Sequence, residues 1–196
     1  MALEQKYTKE PIGVRSAWVR HYYEKQSQQR VELLQAMGNA KDFRTLYNVI
    51  VPEVQCPNLV RVGTVLDGGK YVCNPLSLPE GMCRIYSLGL SHQITFDQEI
   101  YDITGKRCRI HGYDVHPPSL AVKKAYESMN GTLETKFISR SKGNRILGCF
   151  MLDYALFSYE INPAAIRGCE YCFIHVDCMQ RYGAVELKRY LNLIDL

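Results

Sequence analysis

A short run, Ser87-Leu88-Gly89-Leu90-Ser91, closes one apolar stretch and opens an amphipathic one, and Asp114 closes the next apolar stretch 25 residues after Gly89. Those residue types in that order suit a ribose-bearing ligand. In open α/β sheets ligands bind beyond the carboxyl ends of the strands. A glycine there lets the backbone approach the ligand, and an acid ending the second strand accepts hydrogen bonds from both ribose hydroxyls. Only one glycine of the usual glycine-rich loop is present, so the same residues also read as a plain strand-to-helix turn and a solvated aspartate. His92, just past the glycine, is placed to act as a base near a substrate, and His111 and His116 flank Asp114. Each also reads as an ordinary solvated histidine.

A second constellation is Cys169-x-x-Cys172-x-x-His175-x-x-Cys178, four potential metal ligands spaced by three. Zinc takes such donors in tetrahedral sites. The segment from Tyr171 reads as a strand, however, on which Cys172 and His175 point to opposite faces. No Gly or Pro turn lets the chain wrap an ion, so no metal is expected, and a redox role for Cys169 and Cys172 is a weaker reading still. The eight cysteines, at 56, 73, 83, 108, 149, 169, 172 and 178, lie among strand-like apolar residues. Most are expected to be buried, reduced thiols, because an unpaired cysteine packs like a small hydrophobe. In an exported chain, Cys56 and Cys73 would be the pair to bond.

The elements that must position these residues follow from periodicity. Val14, Trp18 and Tyr22, then Val31, Leu34 and Met37, predict one long or two short amphipathic helices over residues 13–38, and Phe43, Leu46 and Ile50 predict another over 41–51. The segment VRVGTVLDGGKYVCNP reads as a β-hairpin. From residue 83 the order is strand (CRIYSLG), helix (Phe96, Ile100 and Ile103 on one face), strand (RCRIHGYD), helix to about Met129, and strand (TLETKFISRS). RILGCFML, DYALFSYEI and YCFIHVD follow, with Asp153 and Glu160 read as the solvated face of an amphipathic helix. The end, MQRYGAVELKRYLNLI, carries Ala184, Leu187, Leu191 and Ile194 at helical spacing. Alternating strands and helices predict an α/β fold with a mainly parallel sheet. Residues 1–50 form a helical N-terminal extension to a domain over 51–196.

Composition excludes little. The chain has 196 residues, 46% hydrophobic and 22% charged, within the range of ordinary globular proteins. Its net charge of +4, its pI of 8.6 and the absence of any Lys/Arg block longer than two residues argue against a dedicated nucleic-acid domain. No apolar run is long enough to span a membrane, and the first residues lack the apolar core of a signal peptide. A cytoplasmic location is therefore expected, with an exported form missing its signal as the alternative.

Three separated segments resemble a known family. Asp67-Gly68-Gly69-Lys70-Tyr71-Val72-Cys73-Asn74-Pro75, then Cys83 to Gly89, then Phe96 with acidic neighbours and His111-Gly112-Tyr113-Asp114 are similar to methyltransferase-like proteins with a DGGK[WY]VC segment, related to FkbM-type methyltransferases. The similarity covers about residues 55–116. It implies a Rossmann-like fold binding S-adenosylmethionine, with Ser87, Leu88 and Gly89 lining the cofactor's amino-acid end and Asp114 holding its ribose. The DGGK segment would lie just upstream of the first core strand, as a hairpin turn more than as a direct ligand contact. The family's K-I-D-[IV]-E-G-A-E segment would correspond to Ile174-His175-Val176-Asp177-Cys178-Met179-Gln180, where only the Asp survives. The chain also stops where such domains add strands, so YCFIHV becomes a sheet edge open to self-association. The expectation is a methyltransferase with an unknown acceptor, Asp177 and His92 being the available bases. The rivals are an interaction protein that retains the fold without activity, and a nicotinamide or other nucleotide binder.

Overall fold

The computed structural model describes residues 12–37, 42–65, 67–78, 81, 83–90, 93–136, 153–162 and 167–194. Helix α1 (Ile12–Met37) and helix α2 (Phe43–Val49) come first, followed by strands β1 (Val54–Gln55), β2 (Leu59–Val62) and β3 (Lys70–Cys73). The next elements are β4 (Cys83–Leu88), α3 (Thr95–Ile103), β5 (Cys108–Asp114), α4 (Leu120–Ser128) and β6 (Thr132–Thr135). The chain then forms β7 (Tyr154–Ile161), β8 (Cys169–His175), α5 (Val176–Tyr182), β9 (Val185–Glu186) and a 3-10 turn at Leu191–Leu193.

The centre of the fold is the parallel sheet β4-β5-β6. Its two crossovers advance in one direction, which with right-handed connections puts both helices on one face. Ile85, Ile110 and Leu133 accordingly pack there against Ile100 of α3 and Val122 and Tyr126 of α4. Ser119 caps α4 by accepting from the Val122 N–H at 3.3 Å.

Around this unit lie three two-stranded antiparallel sheets, β1-β9, β2-β3 and β7-β8. The expectation of a mainly parallel sheet is met by β4, β5 and β6 alone; β8, expected to continue it, pairs antiparallel with β7 instead. Arg61 of β2 clasps the Glu160 carboxylate of β7 through two hydrogen bonds of 3.1 Å, and Lys70 of β3 pairs with Glu170 of β8. Glu53 draws the most distant parts of the chain together. Its carboxylate, 1% exposed, accepts from the backbone N–H groups of Leu156 (3.1 Å), Tyr190 (2.7 Å) and Leu191 (2.9 Å).

Several expectations change. Residues 153–160 are not helical. Ala155 and Phe157 enter one core and Leu156 another, so this run is a strand buried on both faces, a pattern that periodicity does not separate from a buried helix. Glu160 is ion-paired rather than merely solvated. The C-terminal helix ends early because Gly183 takes a left-handed conformation at φ 66° and closes α5; Leu187, Leu191 and Ile194 are still buried, from the chain beyond β9 and its closing 3-10 turn. Helix α1 is a single helix, but Trp18 and Tyr22, expected on its apolar face, are 54% and 45% exposed, and Val31 and Leu34 do the burying. RILGCFML and the second half of TLETKFISRS lie outside the described residues.

The cysteines are the largest correction. Cys56 bonds to Cys73, and Cys83 bonds to Cys108, which faces it in the parallel register. The expectation of mostly reduced thiols is overturned for these four, and Cys56–Cys73 is the pair expected only of an exported chain; for Cys83 and Cys108 the reason is that residues in register on neighbouring strands share a face and come within bonding range.

Candidate functional site

Strand β4 delivers its last residues beside the end of β5. Leu88 lies opposite Tyr113, and the Gly89 N–H donates to the Tyr113 carbonyl at 2.8 Å, which sets Gly89 next to Asp114. Gly89 has φ +75°, and a Cβ built there would meet nothing within 4 Å. The backbone conformation, rather than crowding, therefore requires glycine, and the space beyond the turn is open. Asp114 is half-buried; one carboxylate oxygen accepts from the His116 N–H at 2.8 Å. The carboxylate opens onto a shallow hollow whose walls include Leu90, Pro118, Val122 and Leu133.

The four expected cofactor residues thus divide. Gly89 and Asp114 come together at the strand ends. Leu88 is 58% exposed and points to the face of the sheet away from the helices, while Ser87 points to the helix side. His92 and Ser91 lie outside the described residues. Asp177 sits on the first turn of α5, which follows a strand of the separate β7-β8 sheet, and is 86% exposed, with His175 Nδ1 at 3.6 Å.

Sequence reasoning missed what Ser87 does. Its side chain joins Asp97 of α3 and Tyr126 of α4 in a buried polar cluster. Asp97 and Tyr126 are each 1% exposed, and Asp97 Oδ1 and the Tyr126 hydroxyl lack a partner of good hydrogen-bond geometry among the described residues. Burial pushes the Asp97 carboxyl above the ordinary carboxylate range, an effect that its contacts with Ser87 and Tyr126 only partly offset. The Tyr126 hydroxyl lies where a side chain on Gly112 would sit, 2.7 Å from a Cβ built there, and Gly112 is the register partner of Ser87. The cluster therefore underlies both strand ends. Its signal was legible: Asp97 precedes the buried Ile100 by three residues and so shares its helix face.

The DGGK segment forms the hairpin turn expected of it, and it abuts the site. A Cβ on Gly68, which has φ +91°, would fall 2.3 Å from Gln93 Oε1, and one on Gly69 would fall 2.1 Å from the Thr64 carbonyl. The loop thus closes on the chain that leaves the Gly89 turn.

At the opposite end of the sheet an apolar cavity of about 340 Å³ lies beside β4, between Ile85, Phe96, Tyr71, Phe157 and Phe173. Among the described residues no group of three or more His, Cys, Asp or Glu is close enough to hold an ion. Burial pushes the Cys172 thiol up to about 11 and also raises that of Cys169, so neither is poised as a thiolate.

Three parallel strands alternating with helices fit an α/β methyltransferase-like fold. A family model described as a methyltransferase domain matches residues 14–130, and the chain belongs to that family. No curated protein and no solved structure matches the chain.

Proposed function

We propose that the chain is an S-adenosylmethionine-dependent methyltransferase whose cofactor lies across the Gly89 turn and the Asp114 carboxylate. The observation that carries this reading is the left-handed glycine at the end of β4, with open space beyond it, hydrogen-bonded beside the acid that ends β5. The residues fit the group. Asp114, half-buried at the end of β5 beside the Gly89 turn, carries the carboxylate that would accept the ribose hydroxyls. Leu90, Pro118, Val122 and Leu133 offer apolar walls beside it. When bound, the cofactor supplies an electrophilic sulfonium methyl for in-line transfer to an acceptor O, N or C. The protein's share is orientation and exclusion of water, with His92, three residues past Gly89 in the sequence, as the candidate base. The domain division at residue 50 and self-association through a sheet edge belong to the same reading.

A non-catalytic interaction protein is the second reading. The antiparallel pairing of β8 favours it, because Asp177, the residue retained from the family's fourth-strand segment, is carried away from the parallel sheet. Titration calorimetry with S-adenosylmethionine, S-adenosylhomocysteine and NAD separates the readings. Binding of the first two alone is expected. Binding of NAD would identify a nicotinamide binder, and a flat response to all three would leave the interaction protein.

A further inference from the structure

Parallel sheets occur almost only with both faces covered, yet both helices of this one lie on the same side. The other face is presented by the alternate residues of each strand. Arg84 and Tyr86 of β4 and Arg109 of β5 are exposed there, and His111 is half-exposed. In the register Arg84 stands directly opposite Arg109, and Tyr86 directly opposite His111.

Like charges facing each other across a strand pair are destabilising. Neither guanidinium has a hydrogen-bond or ion-pair partner among the described residues. Glu134, the carboxylate that β6 contributes to this face, is taken by Lys136. One row along, about 6.6 Å at strand rise, the Tyr86 and His111 rings stack at 5.2 Å and 20°. The His111 ring is fixed in turn by Nδ1 lying 2.8 Å from Thr132 Oγ1. Among the described residues this face therefore carries two adjacent cations without partners and, beside them, a stacked aromatic pair, an arrangement that an oxyanion ester borne on a ring would satisfy. Guanidinium forks match tetrahedral oxyanions in paired hydrogen bonds, and the exposed Tyr86 ring of the stacked pair offers an apolar surface to the sugar ring.

We propose that this face binds a sulfated polysaccharide, with Arg84 and Arg109 holding sulfate esters and the exposed ring of the stacked Tyr86–His111 pair packing against a sugar ring. The two disulfides favour this polyanion over nucleic acid, since such bonds persist in the oxidising compartments of the secretory route and the cell exterior.

The test titrates the full chain with a short heparin fragment, the same fragment desulfated, and a single-stranded oligonucleotide of equal charge. Two double variants remove equal charge from exposed positions: Arg84→Gln with Arg109→Gln on the bare face, and Lys123→Gln with Lys124→Gln on α4. The heparin fragment is expected to bind wild type, at least about 10-fold more weakly to the arginine variant and within about twofold of wild type to the lysine variant. Tyr86→Ser should weaken binding without changing its salt dependence, since it removes no charge. Melting temperatures check that all variants are folded. Absent binding, equal loss in the two double variants, or equal affinity for the desulfated fragment would overturn the proposal. Tighter binding of the oligonucleotide would also overturn it and assign the face to nucleic acid.

Discussion

Asp114 is the side chain on which the proposed cofactor site turns. Each charge-assisted hydrogen bond to a ribose hydroxyl contributes about 1.5–3 kcal/mol. Asp114→Ala should therefore weaken S-adenosylmethionine binding roughly 10- to 100-fold, at 1.4 kcal/mol per decade, while Asp114→Asn should lose less because its amide oxygen still accepts. The same carboxylate also receives the His116 N–H, so it has a turn-forming role, and Asn preserves that bond too. Equal calorimetric affinity for wild type and a folded Asp114→Ala would leave the turn as the residue's whole purpose. Asp97 calls for a different measurement. Its carboxyl is held above the usual range chiefly by burial, so the folded state retains a proton that the unfolded chain gives up. The stability associated with that proton is complete below the unfolded value of about 4 and declines as pH rises toward the folded value. Asp97→Asn carries no such dependence. Melting curves of the two proteins should run closest near pH 4 and separate in favour of the variant toward neutrality; parallel curves across that range would show that Asp97 titrates normally.

At the scale of elements, the sequence made the β4–α3–β5–α4–β6 order legible because each piece has one buried and one exposed face, and a half-buried element shows its period. The turn at Gly89 and the acid at Asp114 were legible for the same reason, as punctuation at the ends of patterned runs. β7 was not, since Ala155, Leu156 and Phe157 are buried in succession between two cores and leave no period to read. Nor was the C-terminal path, where helical spacing continues through a glycine that the backbone uses as a stop. Glu53 was the residue least visible in advance, because its three partners lie more than a hundred positions away. It holds β7 and the C-terminal turn in place, and its removal would leave three buried N–H groups without an acceptor. At about 1–3 kcal/mol for each orphaned donor, Glu53→Ala should cost at least about 3 kcal/mol. Urea denaturation is the check. A loss below about 1 kcal/mol would mean that water or a shifted chain replaces the carboxylate.

For the molecule as a whole, the disulfides decide more than any single core. The described residues form three separate buried clusters and four small sheets, and such a division leaves each part with little apolar surface of its own to bury. Cys83–Cys108 closes a loop of 25 positions around the strand end at Gly89 and helix α3, and Cys56–Cys73 closes one of 17 around the β2-β3 hairpin. On the chain-entropy model, loops of this size restrict the unfolded state by about 3 kcal/mol each. In a chain of this length, 1 kcal/mol moves the melting temperature by roughly 2–4 °C, so full reduction should lower it by at least about 10 °C. Alkylation followed by mass measurement supplies the independent check: Cys56, Cys73, Cys83 and Cys108 should resist labelling until reductant is added, whereas Cys169, Cys172 and Cys178 should label in unfolded, unreduced protein. A melting temperature unmoved by reductant, in protein whose four paired cysteines label without it, would return these residues to the reduced, buried state that the sequence alone suggests and would remove the compartment argument for a sulfated ligand on the bare sheet face.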